Sequence, residues 1–136
     1  ACVKDFLSAH KQIRVPITTE LGEIRPIYAD QEQIQKVITN LVLNSVDAVR
    51  EDGQIKISTR QQNGSILLTV VDNGCGMSPE FISRSLFRPF KTTKKGGIGI
   101  GMFQSKAIIE AHGGKVEVES ESQKGTKFTV SLPVAP

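Results

Sequence analysis

Residues 30–50 read DQEQIQKVITNLVLNSVDAVR, and their spacing decides the fold class. Asp30 is placed as a helix N-cap, with Gln33 three residues on in a capping-box arrangement. From there Ile34, Val37, Ile38, Leu41, Val42, Ala48 and Val49 fall on one broad arc at 3.6 residues per turn. The spacing predicts an amphipathic helix running to about Arg50 and stopped by Asp52-Gly53. Such a helix must bury its apolar face on a second layer, and the flanking segments supply one. Upstream, Ile13, Val15, Ile17, Thr19 and Leu21 alternate with mostly polar neighbours over 12–21, as in a half-buried strand. Pro16 assigns that strand to a sheet edge. A short extended piece is expected at 26–29, starting at Pro26. Downstream, 54–61 and 65–72 read as strands joined by Asn63-Gly64, a hairpin turn. A second helix is expected from 101 to 112, ending at His112-Gly113-Gly114, where a partial positive charge on His112 is favourable. Strands at 115–121 and 126–132 follow, with a turn around Gly125. Residues 1–9 read as a short helical lead-in. The whole predicts an α+β fold: a two-layer sandwich with a mixed sheet and helices packed on one face.

A chain of 136 residues suits one domain, 1–136, able to bury a core without disulfides or a structural metal. The formal charge is +3, from 17 basic and 14 acidic residues. That is too small to point to nucleic acid, which calls for a clustered basic face. Cys2 and Cys75 have no ligand spacing and read as free thiols of a reducing, cytoplasmic compartment. No apolar run approaches a membrane span, and no signal peptide is visible, so no membrane contact is expected of this domain. The chain opens on Ala-Cys-Val-Lys-Asp without an initiator methionine, which reads as a segment of a longer protein with 1–11 leading in from upstream.

Four clusters carry chemistry. On the long helix, Asn40, Asn44 and Asp47 form a stripe about 60° wide, placed roughly opposite the centre of the apolar arc. Asn is a poor residue in mid-helix, and an amide oxygen suits Mg²⁺; a solvated polar face is the other reading. Asp72-Asn73-Gly74-Cys75-Gly76 follows a strand directly. Its carboxylate can accept from a ligand amine, and the glycines let a flat ring approach the backbone; a plain turn is the other reading. Residues 73–101 hold six of the twelve glycines in a long connection of the kind used for lids. Within it, Gly96-Gly97-Ile98-Gly99-Ile100-Gly101 runs into the helix at Met102. Successive free N–H groups and a helix start favour a phosphate chain, although the spacing is neither that of a Walker loop nor that of a dinucleotide fingerprint. Just before it, Phe87 and Phe90 are placed to anchor the loop, with Lys91 and Lys94 in reach of phosphate oxygens.

In order and spacing these clusters resemble the gyrase, chaperone, histidine kinase and mismatch-repair ATPase superfamily. Asn40 to Ala48 resembles its asparagine box, and Asp72-x-Gly74-x-Gly76 its first glycine box. Phe87-Arg-Pro-Phe90 with Thr92-Thr93-Lys94 resembles the phenylalanine box of sensor kinases. Gly97-x-Gly99-x-Gly101-Met102 resembles the second glycine box, and Gly125-Thr126 the closing pair. The resemblance covers about residues 12–133 and implies a Bergerat-type ATP-binding fold. It further implies that Asp72 accepts from the adenine amino group with support from Thr126, that Ala48 and Met77 line the adenine pocket, and that Asn44 holds Mg²⁺. Gly97, Ile98, Gly99, Ile100, Gly101 and Met102 would wrap the phosphates of ATP, beside Gly74, Gly76, Asp47, Lys91 and Lys94.

Position 40 separates two activities. The hydrolytic members carry an acid there; an amide cannot serve as a general base. Asn40 therefore favours phosphoryl transfer to an imidazole, which asks mainly for positioning and charge stabilisation, with Asn40, Asn44 and Lys94 as the catalytic set. Asp47 stands where many sensor kinases have a basic residue, and this departure also resembles the ATPases. The expected activity is that of a sensor histidine kinase catalytic domain; the alternative is a conformational ATPase module of the gyrase or chaperone type. Neither His10 nor His112 has the context of a phosphoacceptor. The acceptor is expected on the protein's own upstream dimerisation domain, with a response regulator as the further partner.

Overall fold

The computed structural model describes residues 2–9, 15–23, 27, 29–49, 52–87 and 101–134. The predicted amphipathic helix is α2, Gln31–Ala48, and Asp30 caps it, its carboxylate accepting from Gln33 N–H at 3.2 Å. Ile34, Val37, Ile38, Leu41 and Val42 are buried, as the 3.6-residue spacing requires. The helix stops two residues before the expected Arg50. Val49 is already extended, and the carbonyl of Ala48 is taken by Cys75 N–H at 3.0 Å. A tertiary bond thus ends the helix ahead of the Asp52-Gly53 signal.

The lead-in forms α1, Cys2–Ala9, with Val3 and Phe6 buried in the common core. Five strands follow the helix pattern: β1 Ile17–Leu21, β2 Ile55–Gln62, β3 Ser65–Asp72, β4 Lys115–Glu121 and β5 Gly125–Pro133. Their order in the sheet is β1-β2-β3-β5-β4. β1 and β2 are parallel and the other pairs antiparallel, so the sheet is mixed, as expected. β1 lies on the edge that Pro16 predicts, but it is shorter than 12–21. Pro16 has no N–H for a ladder; it contributes only its carbonyl, to Ile55 N–H at 3.0 Å, and the strand begins after it. Ile27 and Ala29 carry no regular structure. The Asn63-Gly64 turn has φ of 51° and 79°, the doubly positive geometry that matches the twist of a hairpin.

Alternation along β3 and β5 sends Ile66, Leu68, Val70, Phe128, Val130 and Leu132 into the core. Lys56, Val71 and Lys127 point the other way and are exposed. After β3 the chain forms α3, Pro79–Phe81, capped by Ser78 Oγ accepting from Phe81 N–H at 3.1 Å, and then a π-helical turn at Ile82–Leu86. The last helix, α4, spans Gly101–Ala111 and packs beside α2, with Met102 and Ile109 buried. Complete burial of a side chain such as Leu41 or Ile57 contributes roughly 1.5–3 kcal/mol each, and these residues join the helix layer to the sheet. Among the described residues no helix is long and apolar enough to cross a membrane.

Candidate functional site

One row of residues crosses the sheet at the end where β3 gives way to the glycine-rich connection. Ile17 pairs with Ile55, Ile55 with Asp72, Asp72 with Thr126, and Thr126 with Ser120. The row starts apolar and turns polar in mid-sheet, on the face that packs the helices. Asp72 is 4% exposed and Thr126 5%. Burying polar groups of this kind costs free energy unless each finds a partner. Asp72 finds one: its Oδ1 accepts from Gly74 N–H at 2.9 Å. Its Oδ2 has no hydrogen-bond partner among the described residues and is left as an acceptor.

The wall around Asp72 is made of backbone. Gly74 lies where a Cβ would come within 2.4 Å of the Ala48 carbonyl oxygen, and Gly76, at φ +67°, would place one 2.0 Å from that of Glu121. In the structure these glycines make room for the protein's own backbone, from the end of α2 on one side and the β4–β5 turn on the other. Gln123 N–H adds a bond to the Cys75 carbonyl at 2.6 Å. The sequence-predicted residues Ala48, Asp72, Gly74, Gly76, Met77 and Thr126 are thereby drawn together at one end of the sheet.

Ser120 is the residue that sequence reasoning missed. Its hydroxyl accepts from Met77 N–H at 2.8 Å, donates to the Gly125 carbonyl at 2.9 Å and lies 2.8 Å from Thr126 Oγ1. A signal for it exists: Val116, Val118 and Ser120 share one face of β4, and Ser120 breaks an apolar alternation six residues before Thr126. An open groove of ≈ 370 Å³ at this end of the sheet is lined mostly from the exposed face and the β4–β5 turn, by Val71, Glu119, Glu121, Lys124 and Lys127, and reaches Asp72, Ser120, Gly125 and Thr126 at its edge.

The second group sits between α2 and α4. Asn40 Nδ2 donates to the Gly101 carbonyl and to Ser105 Oγ, both at 3.2 Å. The carbonyl can only accept, so the amide orientation is fixed and both its hydrogens are used. Asn40 is half-buried at this seam and Asn44 is half-buried one turn on, while Asp47 is exposed. The stripe therefore flanks the apolar arc rather than opposing it. On a helical wheel its centre is about 120° from that of the arc, near enough for α4 to cover its first member. Met102 is buried behind Gly101. Lys91, Lys94, Gly97, Ile98, Gly99 and Ile100 lie outside the described residues, as do His10, Phe90, Thr92 and Thr93.

His112 differs from expectation. Its Nδ1 lies 2.7 Å from the Ile108 carbonyl and its Nε2 accepts from Asp30 N–H at 3.1 Å. The residue joins the end of α4 to the start of α2.

Comparison with known proteins identifies the family and the fold. Over 131 residues the chain is 39% identical to the signal transduction histidine-protein kinase AtoS of Escherichia coli K12, a match covering 95% of this chain and 21% of AtoS. It is 38% identical over 132 residues to the alginate biosynthesis sensor protein KinB of Pseudomonas aeruginosa, covering 95% and 22%. The chain thus spans about a fifth of the length of these curated relatives. Among solved structures, the catalytic domain of histidine kinase ThkA superposes with a TM-score of 0.81 at 29% identity, covering 97% of this chain and 87% of that one. Full-length ShkA in complex with AMPPNP gives 0.83 at 25% identity, covering 98% and 28%. Residues 29–136 match a single family along their whole length. The chain belongs to the histidine kinase-, DNA gyrase B- and HSP90-like ATPase family.

Proposed function

We propose that this chain binds MgATP and donates the γ-phosphoryl group to a histidine on a separate dimerisation domain of the same protein, as the catalytic domain of a two-component sensor kinase. The observation that carries the reading is the buried polar row. Asp72 Oδ2 is held as an acceptor at the end of a core strand, beside Thr126, in a wall of α2 and turn backbone. A 6-amino purine offers the matching donor. The kinase names of the relatives support the transfer reading, and so does Asn40, whose amide is committed to α4 and offers no general base.

Among the described residues no group of three or more His, Cys, Asp or Glu side chains converges. Asn44, half-buried on α2 one turn after Asn40, is the residue proposed to hold a Mg²⁺ that arrives on phosphates and keeps much of its water, since an amide oxygen suits such an ion. The bound nucleotide supplies the phosphoryl group. The chain's own residues bind the base through Asp72, Thr126, Ala48, Gly74, Gly76 and Met77, and hold the start of α4, Gly101 and Met102, against α2 through Asn40. Asp47, Lys91, Lys94, Gly97, Ile98, Gly99 and Ile100 complete the proposed phosphate side. On this reading 1–136 is a single domain with 1–11 as its lead-in and 73–101 as connection and lid. Its further partner is a response regulator, reached through the whole kinase, and its compartment is the cytoplasm, in keeping with the free Cys2 and Cys75.

Calorimetry with a non-hydrolysable ATP analogue and Mg²⁺ tests the binding; no heat at millimolar nucleotide overturns it. The gyrase-like alternative predicts steady ATP hydrolysis by the chain alone, lost in Asn44→Ala. The kinase reading predicts negligible turnover until a dimerisation domain bearing a histidine is added.

A further inference from the structure

Ser120 lies outside every motif of the sequence, yet three segments converge on its one hydroxyl. The amide of Met77 comes from the loop after β3, the carbonyl of Gly125 from the β4–β5 turn, and Oγ1 of Thr126 from β5, at 2.8, 2.9 and 2.8 Å. A serine hydroxyl has one proton to give and two lone pairs. The Met77 N–H can only donate, so it takes a lone pair. The Gly125 carbonyl can only accept, so it takes the proton. The contact with Thr126 then has a single solution: Thr126 donates to Ser120. With that, the Thr126 hydroxyl has spent its proton and presents only lone pairs towards the space beside Asp72, its cross-strand partner.

We infer that Ser120 is a specificity-determining positioning residue, which fixes Thr126 as an acceptor and so selects a purine carrying an amino group at C6 over one carrying an oxo group. The inference rests on the adenine reading above. Asp72 Oδ2 and Thr126 Oγ1 then form two acceptors on one side of the base. A 6-amino purine meets them with the two N–H donors of its amino group; a 6-oxo purine has a single donor on that edge, N1–H, and its O6 leaves one lone pair facing another, the kind of mismatch that sites reject most strongly. Without the Ser120 hydroxyl, Thr126 is free to turn its proton towards the ligand and tolerate the oxo group. Ser120 itself need not touch the base.

The test is the ratio of dissociation constants for ADP and inosine diphosphate, with Mg²⁺, in this chain and its variants. The unaltered chain is expected to prefer ADP. In Ser120→Ala the preference narrows by about tenfold, with inosine diphosphate losing less affinity than ADP. Ser120→Thr, which keeps the hydroxyl, retains the original ratio. Thr126→Val leaves the Met77 and Gly125 bonds of Ser120 in place, so it reports even where Ser120→Ala fails to fold. It too must narrow the ratio, because it removes the fixed acceptor. If either variant folds and lowers both affinities equally, Ser120 only holds the loop together and the inference is overturned. If the unaltered chain binds neither diphosphate, or binds both alike, the adenine reading fails first, a result that differs from the failure of Ser120 alone.

Discussion

Asp72 is a carboxylate at the end of an otherwise apolar core strand, and its neighbours on that face, Ile66, Leu68 and Val70, are all buried. A side chain kept there against its desolvation cost has to be doing something for which no apolar residue would serve. Asp72→Asn keeps the shape but replaces one carboxylate oxygen with an NH₂ group and removes the charge. We expect it to weaken adenine nucleotides on the order of tenfold to a hundredfold, the loss of one charge-assisted bond; calorimetry that returned an unchanged affinity would move the base elsewhere. Gly76 makes a different demand. With φ at +67° and the Glu121 carbonyl where a Cβ would stand, Gly76→Ala has to shift the loop or the turn, and it should cost about 1–3 kcal/mol in a urea melt. At this scale Asp72 and the glycines were legible because their chemistry is odd for their position. Ser120 was not, since serine in a strand near a turn is ordinary and only the convergence of Met77, Gly125 and Thr126 in space gives it meaning. The reach of Asn40 to Gly101, 61 residues on, is hidden from local spacing for the same reason.

The helices and strands were legible wherever a period ran long enough, as in α2, the β2–β3 hairpin and the β4–β5 pair. Errors gathered at ends, where the deciding partner is distant in sequence. α2 stops at Ala48 because Cys75 N–H takes its carbonyl, and β1 shortens because Pro16 has no proton for the ladder. The junction of α2 and α4 follows the same rule. His112 closes it at one end by accepting from Asp30 N–H while bonding the Ile108 carbonyl, and Asn40 closes it further along through Gly101 and Ser105. His112→Ala removes both bonds of the first closure and leaves an N-cap amide to water. Its expected cost is about 1–2 kcal/mol, read as a lower urea midpoint at unchanged slope. A midpoint equal to that of the parent chain would mean that the two helices are held by Asn40 and apolar packing alone.

At the scale of the molecule, the candidate site belongs to no single element. Asp72 comes from β3, Ser120 from β4, Thr126 from β5, the capping carbonyl of Ala48 from α2, and Met77 from the loop between. These pieces are brought together only when the sheet is paired in register and α2 is docked on it, so the site does not exist in the unfolded chain. A ligand held there binds the native state alone and must raise its stability by mass action, by about 2.7 kcal/mol at a free concentration one hundred times the dissociation constant. For a chain of 136 residues that corresponds to a rise in Tm on the order of 10 °C. Thermal melts with increasing ADP and Mg²⁺ should therefore show a Tm that climbs with the logarithm of nucleotide concentration. Asp72→Asn should shift that curve to concentrations ten to a hundred times higher without changing its form. A melt indifferent to millimolar ADP in the parent chain would mean that the polar row of Asp72, Thr126 and Ser120 serves the sheet and not a ligand. A rise of equal size in Asp72→Asn would keep the ligand but take the base away from β3.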